Sequence, residues 1–300
     1  MKELVILSGK GGTGKTSITA AFAALADNAI LCDADVDASD LHLVTAPDVE
    51  ETHDFKGGNE ASINPDACVG CGLCHELCRF NGIRPPKEGE TAYRVDALDC
   101  EGCGVCVTLC PEQAIDFPQK VCGQWFSSVT RFGPMVHARL GIAEENSGRL
   151  VALVREQAKK RARDQHKDLI LTDGPPGIGC PVIASISQAN GILIVAEPTV
   201  SGIHDMERVA KLAAHFKIPA MICINKYDLN PEQSQVIEDM AREHGIGFAG
   251  KVPFDPDFTR AMIQGRSIVE TARNSAAARA VKSIWKNVME SPAMAVERIM

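Results

Sequence analysis

Basic charge is scarce in this chain of 300 residues: 31 lysines and arginines stand against 39 aspartates and glutamates, a net charge of −8. A surface of that sign argues against a primary nucleic-acid binder, which needs a basic footprint for phosphate backbones. The densest basic stretch, Arg155 to Lys167 with Lys159, Lys160, Arg161 and Arg163, reads as a solvated helix face. No apolar run approaches the ~20 residues of a membrane helix, so no stable membrane anchor is expected. A secretory segment is not expected either. Residues 3–7 are apolar but run straight into a glycine loop, which marks a strand. Twelve cysteines in such a chain point to metal or redox use in a reducing cytoplasm and away from a disulfide framework.

Eight of those cysteines fall into two runs. They are Cys68-x2-Cys71-x2-Cys74-x3-Cys78 and Cys100-x2-Cys103-x2-Cys106-x3-Cys110-Pro111. Each has the bacterial ferredoxin spacing, in which the fourth cysteine ligates the other cluster. The expected sets are therefore Cys68, Cys71, Cys74 and Cys110 for one [4Fe–4S] cluster, and Cys100, Cys103, Cys106 and Cys78 for the second. Gly70, Gly72, Gly102 and Gly104 between the ligands permit tight turns. Arg79 follows Cys78 where the second run has proline, a departure that leaves ligation intact. Zinc, the competing reading, prefers longer spacers between cysteine pairs. Residues 60–118 resemble a bacterial two-cluster ferredoxin.

Near the start, Gly9-Lys10-Gly11-Gly12-Thr13-Gly14-Lys15-Thr16 follows the apolar segment Leu4–Ser8 and precedes a predicted helix, about 16–26. Strand, loop and helix are the context a phosphate-binding loop requires. Its backbone N–H groups would cradle ATP phosphates, Lys15 would neutralise charge on them, and Thr16 would coordinate Mg²⁺. Ser17 belongs to the same candidate site. Asp33, Asp35 and Asp37 follow a second strand, 29–33. Asp173 ends another, 168–173, and leads into Gly174-Pro175-Pro176-Gly177, so it is a candidate for the Mg²⁺ shell.

Lys10 after the first glycine resembles the deviant-Walker ATPases, the MinD, ParA and Mrp group. The resemblance implies an ATP-dependent homodimer in which Lys10 reaches the partner's nucleotide. It also implies that one of Asp33, Asp35 and Asp37 orients the attacking water, without saying which. Asn225, from Asn225-Lys226, and Pro253-Phe254-Asp255 resemble the family's base-binding loops. Cys180 lies seven residues after Asp173, an offset at which the nitrogenase iron protein has a bridging cysteine. Residues 123–179 contain no second such cysteine, so Cys180 reads as structural. Cys32 and Cys223 sit in apolar strands and read as core; Cys122 is the remaining one outside the two runs.

Further strands are expected at 191–196 and 220–225, and a β-rich stretch at 121–131. Helices are expected near 150–163, 203–216, 231–244 and 276–290. This alternation implies an α/β, mostly parallel, doubly wound P-loop sheet. The expected domains are 1–59 with 119–300, and an inserted small α+β two-cluster ferredoxin domain, 60–118. Polar, glycine-rich residues 53–59 would serve as its entry linker. The whole resembles MinD-superfamily ATPases with such an insert. That implies an ATPase coupling nucleotide state to electron transfer toward a redox partner. The alternatives are an iron–sulfur carrier of Mrp type, which would serve a cluster-accepting protein, and a MinD- or ParA-like positioning ATPase.

Overall fold

The computed structural model describes residues 1–141, 144 and 147–295. The chain divides into two compact units. The first holds Met1–His53, Trp125–Arg139 and Ser147–Met300, and the second Asp54–Gln124 and Leu140–Asn146.

In chain order the strands are β1 (Lys2–Leu7), β2 (Ala29–Asp33), β3 (Asp48–Asn59), β4 (Ser62–Ile63), β5 (Ile83–Arg84), β6 (Arg94–Val95), β7 (Ile115–Asp116), β8 (Gln119–Thr130), β9 (Gly133–Leu140), β10 (Leu169–Asp173), β11 (Gly191–Ala196), β12 (Ala220–Asn225) and β13 (Gly247–Val252). Nine form one sheet in the order β13-β12-β11-β1-β10-β2-β9-β8-β3. The pairs from β13 to β9 are all parallel.

Parallel strands buried on both faces need apolar residues at successive positions, and β1 supplies them. Leu4 and Ile6 enter the core on one face with Ile18, Phe22, Leu31 and Leu171. Val5 and Leu7 enter the other with Val182, Ile186, Ile194 and Met206. Phe22 and Trp285 meet at 5.0 Å between ring centroids.

The helices of the first unit are α1 (Lys15–Ala23), α2 (Leu41–Thr45), α5 (Ser147–Asp164), α6 (Cys180–Ile186), α7 (Val200–His215), α8 (Pro231–Glu243), α9 (Asp257–Ile263), α10 (Ile268–Thr271), α11 (Ala276–Met289) and α12 (Pro292–Ala295). The second unit adds α3 (Leu73–Leu77) and α4 (Val105–Thr108). It also has two small antiparallel ladders, β4 with β7 and β5 with β6.

Two expectations need revision. Residues 53–59 belong to the twelve-residue strand β3 and form no linker. The chain passes from one unit to the other inside β3, β8 and β9, at His53/Asp54, Gln124/Trp125 and Arg139/Leu140. The basic face of α5 is only partly solvated. Arg155 is buried and grips Glu3 through Nε at 2.9 Å and one Nη at 2.7 Å. Lys159 approaches the same carboxylate at 3.7 Å, and Arg161 hydrogen-bonds Ser127 and Glu50. A carboxylate buried at the start of β1 must be paired, and α5 supplies the cations.

Candidate functional sites

The carboxyl ends of β1, β2 and β10 bring distant acids together. Parallel register aligns Asp33 with Asp173 and Asp173 with Ile6. The glycine loop leaves β1 beside them. Gly14 caps α1 at φ 88°, where a Cβ would stand 2.3 Å from the Asn225 amide nitrogen. Gly9 is as tightly held, with a Cβ falling 2.3 Å from that of Asp205. Gly11 and Gly12, by contrast, have no neighbour within 4 Å of such a Cβ. The two ends of the loop are pinned while its crest is open.

Lys15 is buried and meets Asp173 Oδ2 at 3.0 Å and Asp35 Oδ2 at 3.3 Å. These are ion pairs without a well-aligned hydrogen bond on its ammonium. Burial pulls the Lys15 pKa down, but Asp173, Asp35 and Asp33 together raise it. The Asp173 carboxylate accepts from Thr16 Oγ1 at 2.7 Å and from Thr19 Oγ1 at 2.8 Å. Thr19 escaped the sequence reading. Its signal was its place one helical turn beyond Thr16 on α1. Thr13 Oγ1 is buried with no hydrogen-bond partner.

The three aspartates after β2 separate by environment. Asp33 is fully buried and accepts from Ser39 Oγ at 2.7 Å and from the Asp35 and Leu41 N–H groups at 3.1 and 3.3 Å. Burial and then the Asp173 charge push it up to about 7, against the pull of Lys15. Asp35 faces Lys15, and burial raises it as well. Asp37 is exposed. Asp33 thus ties down the segment 35–41, and Asp35 presents a free carboxylate oxygen edge to the lysine.

Lys10 lies in cis contact with the segment leading into α7. Its Nζ stands 3.6 Å from Glu197 Oε2, 3.4 Å from Thr199 Oγ1 and 3.2 Å from Ser201 Oγ. The other Glu197 oxygen pairs with Lys226, whose Nζ also donates to the Gly12 carbonyl at 3.4 Å. Sequence alone assigned no role to Glu197 or Lys226. Asn225 Nδ2 donates to the Thr13 carbonyl at 2.7 Å, so its amide nitrogen braces the phosphate loop. Ser17 Oγ meets the Met262 sulfur at 3.1 Å on α9. The Phe254 N–H donates to Asp228 at 2.6 Å, and Asp255 accepts from the Asp257 N–H at 2.9 Å. Phe254 is half exposed. The loop 253–255 is thereby tied to the segment after Asn225.

The second unit contains two cysteine-lined cavities. Cys68, Cys71, Cys74 and Cys110 line the first, and Cys78, Cys100, Cys103 and Cys106 line the second. Gly70, Gly72, Gly102 and Gly104 all have positive φ, between 60° and 79°. Cys78 Sγ accepts from the Gly82 N–H at 3.2 Å and Cys110 Sγ from the Ala114 N–H at 3.4 Å, the same offset in each half. Among the described residues, no three or more His, Cys, Asp or Glu side chains gather closely enough to hold a single metal ion. Of the other cysteines, Cys32, Cys122 and Cys223 are buried and Cys180 is exposed at the start of α6. Burial pushes the Cys223 thiol up to about 12. No helix among the described residues is long and apolar enough to cross a membrane.

Comparison with known proteins adds a family. Residues 4–268 match the CobQ/CobB/MinD/ParA nucleotide binding domain. The chain is 28% identical over 295 residues to the uncharacterized protein MJ0578 of Methanocaldococcus jannaschii, covering 96% of each. It is 26% identical over 142 residues to the cytosolic Fe-S cluster assembly factor NUBP2 of Bos taurus, spanning 42% of this chain and 52% of that one. The cell division ATPase MinD of Pyrococcus furiosus superposes with a TM-score of 0.56 at 18% identity, covering 96% of this chain and 98% of that one. MinD from Pyrococcus horikoshii, solved with Mg-ADP, gives 0.55 at 17% identity, covering 96% of each chain. The matched span takes in the open-crested glycine loop, Lys15 and the strand-end aspartates, and the chain belongs to the CobQ/CobB/MinD/ParA nucleotide-binding domain family.

Proposed function

We propose that this protein is an ATP-hydrolysing iron–sulfur protein in which nucleotide state governs electron transfer through two [4Fe–4S] clusters in residues 60–118. The observation carrying the redox half is the division of the eight cysteines between two cavities, four in each. Each set draws three ligands from one run and the fourth from the other, as two-cluster ligation demands. A cube takes one thiolate at each iron, so its ligands surround a space and do not converge on a point. When bound, the clusters supply one-electron transfer. The chain's own part is to present thiolates, fix them with glycine turns, and aim N–H groups at two of the sulfurs.

The nucleotide half rests on the fit of the loop. The crest at Gly11 and Gly12 leaves room for phosphate, and the unpartnered Thr13 hydroxyl gains an acceptor there. Three buried carboxylates around one ammonium leave excess negative charge, which suits a divalent cation. Thr16 and Asp173 would hold Mg²⁺, which neutralises phosphate charge. Lys15 would bind the β- and γ-phosphates once its aspartates turn to the cation and to water. Asp35 is assigned to orient the attacking water, and Asp33 to hold the loop that carries it. Pro253, Phe254 and Asp255 would frame the base. Lys10 would leave Glu197 and reach the nucleotide of a second copy in an ATP-dependent homodimer.

A second reading, an iron–sulfur carrier, is favoured by the likeness to NUBP2. A positioning ATPase draws on the MinD fold likeness only. The test uses anaerobically loaded, chemically reduced protein with ATP, ADP or no nucleotide, and benzyl viologen as electron acceptor. The relay expects a reoxidation rate that depends on nucleotide. Equal rates, with iron and sulfide passing instead to an apo-ferredoxin, would establish the carrier. Lys10→Ala is expected to retain nucleotide binding while losing the ATP-induced doubling of mass by light scattering.

A further inference from the structure

Each cysteine cavity has one aromatic side chain against the glycine that precedes its third cysteine. At Gly72, before Leu73-Cys74, the nearest atom to an added Cβ is the Tyr93 hydroxyl oxygen, at 2.9 Å. At Gly104, before Val105-Cys106, it is a ring carbon of Phe117, at 3.2 Å. Tyr93 lines the first cavity and Phe117 the second. The two halves repeat their backbone, with φ 79° at Gly72 and 72° at Gly104, and each glycine caps a short helix. They also repeat their backbone donors to sulfur, Gly82 and Ala114. Each cavity wall carries one carboxylate, Glu112 in the first and Glu101 in the second. Phe80 also lines the second cavity, but among the polar side chains other than cysteine the two walls differ by one hydroxyl, that of Tyr93.

We infer that Tyr93 makes the two clusters unequal, by offering an O–H donor to the cluster of Cys68, Cys71, Cys74 and Cys110, and that this cluster is the more easily reduced. The inference rests on the two-cluster reading above. Reduction by one electron adds one negative charge to a cluster. A nearby hydrogen-bond donor stabilises that added charge and raises the potential. No proton needs to move; the phenol only turns its hydrogen toward sulfur. Phe117 has an apolar edge in the corresponding place and offers the second cluster no such donor. Arg79, next to Cys78, is exposed, and solvent screens its charge. The neighbours of both rings are held. Arg94 donates to the Pro85 carbonyl at 3.2 Å beside Tyr93, and Asn59 donates to the Phe117 carbonyl at 2.7 Å. Electrons entering the second unit would settle on the first cluster, so Tyr93 acts as a tuning residue and touches no substrate.

The test is a redox titration of anaerobically loaded protein, followed by EPR, with iron and sulfide measured in every sample. The wild type should show two midpoints. Tyr93→Phe should lower the higher one and leave the other in place, drawing the two together. Phe117→Tyr should raise the lower one and leave the other in place. Coincident midpoints in the wild type, or loaded variants whose midpoints do not move in these directions, would overturn the inference while leaving the clusters intact. Wild-type protein without iron and sulfide would instead overturn the two-cluster reading, and the inference with it.

Discussion

Asp35 and Asp33 differ by two positions in sequence and by a full change of role in space. Asp33 spends its oxygens on Ser39 and two backbone N–H groups, whereas Asp35 meets Lys15. Asp35→Asn is expected to lower ATP turnover by ~10²-fold or more while nucleotide affinity, read by calorimetry, stays within a few-fold. A variant with undiminished turnover would return the role to Asp33 or Asp37. His137, the register partner of Asp33 on β9, gives a pH signal of its own. It is buried, stacks on Phe126 at 4.9 Å and shares a 3.0 Å hydrogen bond with Ser128. Burial, and then the nearby His42, pull its pKa down to about 4. A depressed histidine is neutral in the fold and takes up protons only on unfolding. Its share of stability is therefore complete above about 6.5 and lost as pH falls toward 4, on the order of 1–3 kcal/mol. His137→Gln should lose less denaturant resistance than wild type between pH 7 and pH 5. Identical slopes for the two proteins would refute the assignment. The sequence named all three aspartates but could not rank them. The ranking depends on which of them turns toward Lys15, and spacing alone does not encode that.

At the level of elements, α5 was legible as a helix and misread as a surface. Its periodicity predicted residues 150–163, and it spans Ser147–Asp164. Its basic residues suggested a solvated face because the partner, Glu3, lies more than a hundred residues away in β1. Arg155 ties Glu3 to the carbonyls of Ala184 and Ser187 at the end of α6. Arg155→Met should destabilise the protein by about 3–5 kcal/mol, because it leaves Glu3 charged, buried and deprived of its main partner. Adding Glu3→Leu should restore most of the loss, as read from urea midpoints across the double-mutant cycle; simple addition of two penalties would argue against the pairing. β3 failed as a sequence expectation for a different reason. Most of its residues before Phe55 are exposed. A strand with little buried face has no alternation to display, and Gly57-Gly58 made it look like a linker. The strands β1, β10, β11 and β12 were legible because burial on both faces forces continuous apolar runs.

The molecule as a whole joins a family-typical nucleotide fold to a cysteine-rich unit, and the cysteine spacing told more than any single contact. The spacing led to two expected ligand sets, and each cavity is lined by four cysteines, three from one run and one from the other. The aromatic residues against Gly72 and Gly104 were invisible beforehand, since Tyr93 and Phe117 lie outside both runs. So was the cis hold on Lys10, because Glu197 and Ser201 reach it from a distant segment.

Cys78 and Cys110 each border the cavity opposite their own run, so neither half is complete alone. On the two-cluster proposal the halves, like two links of a chain, close together or stay open together. Iron supplied at half the stoichiometric amount should then leave the population divided between fully loaded and empty molecules. Native mass spectrometry is expected to find chains with eight irons and chains with none, and few with four. A dominant four-iron species would mean that the halves load independently.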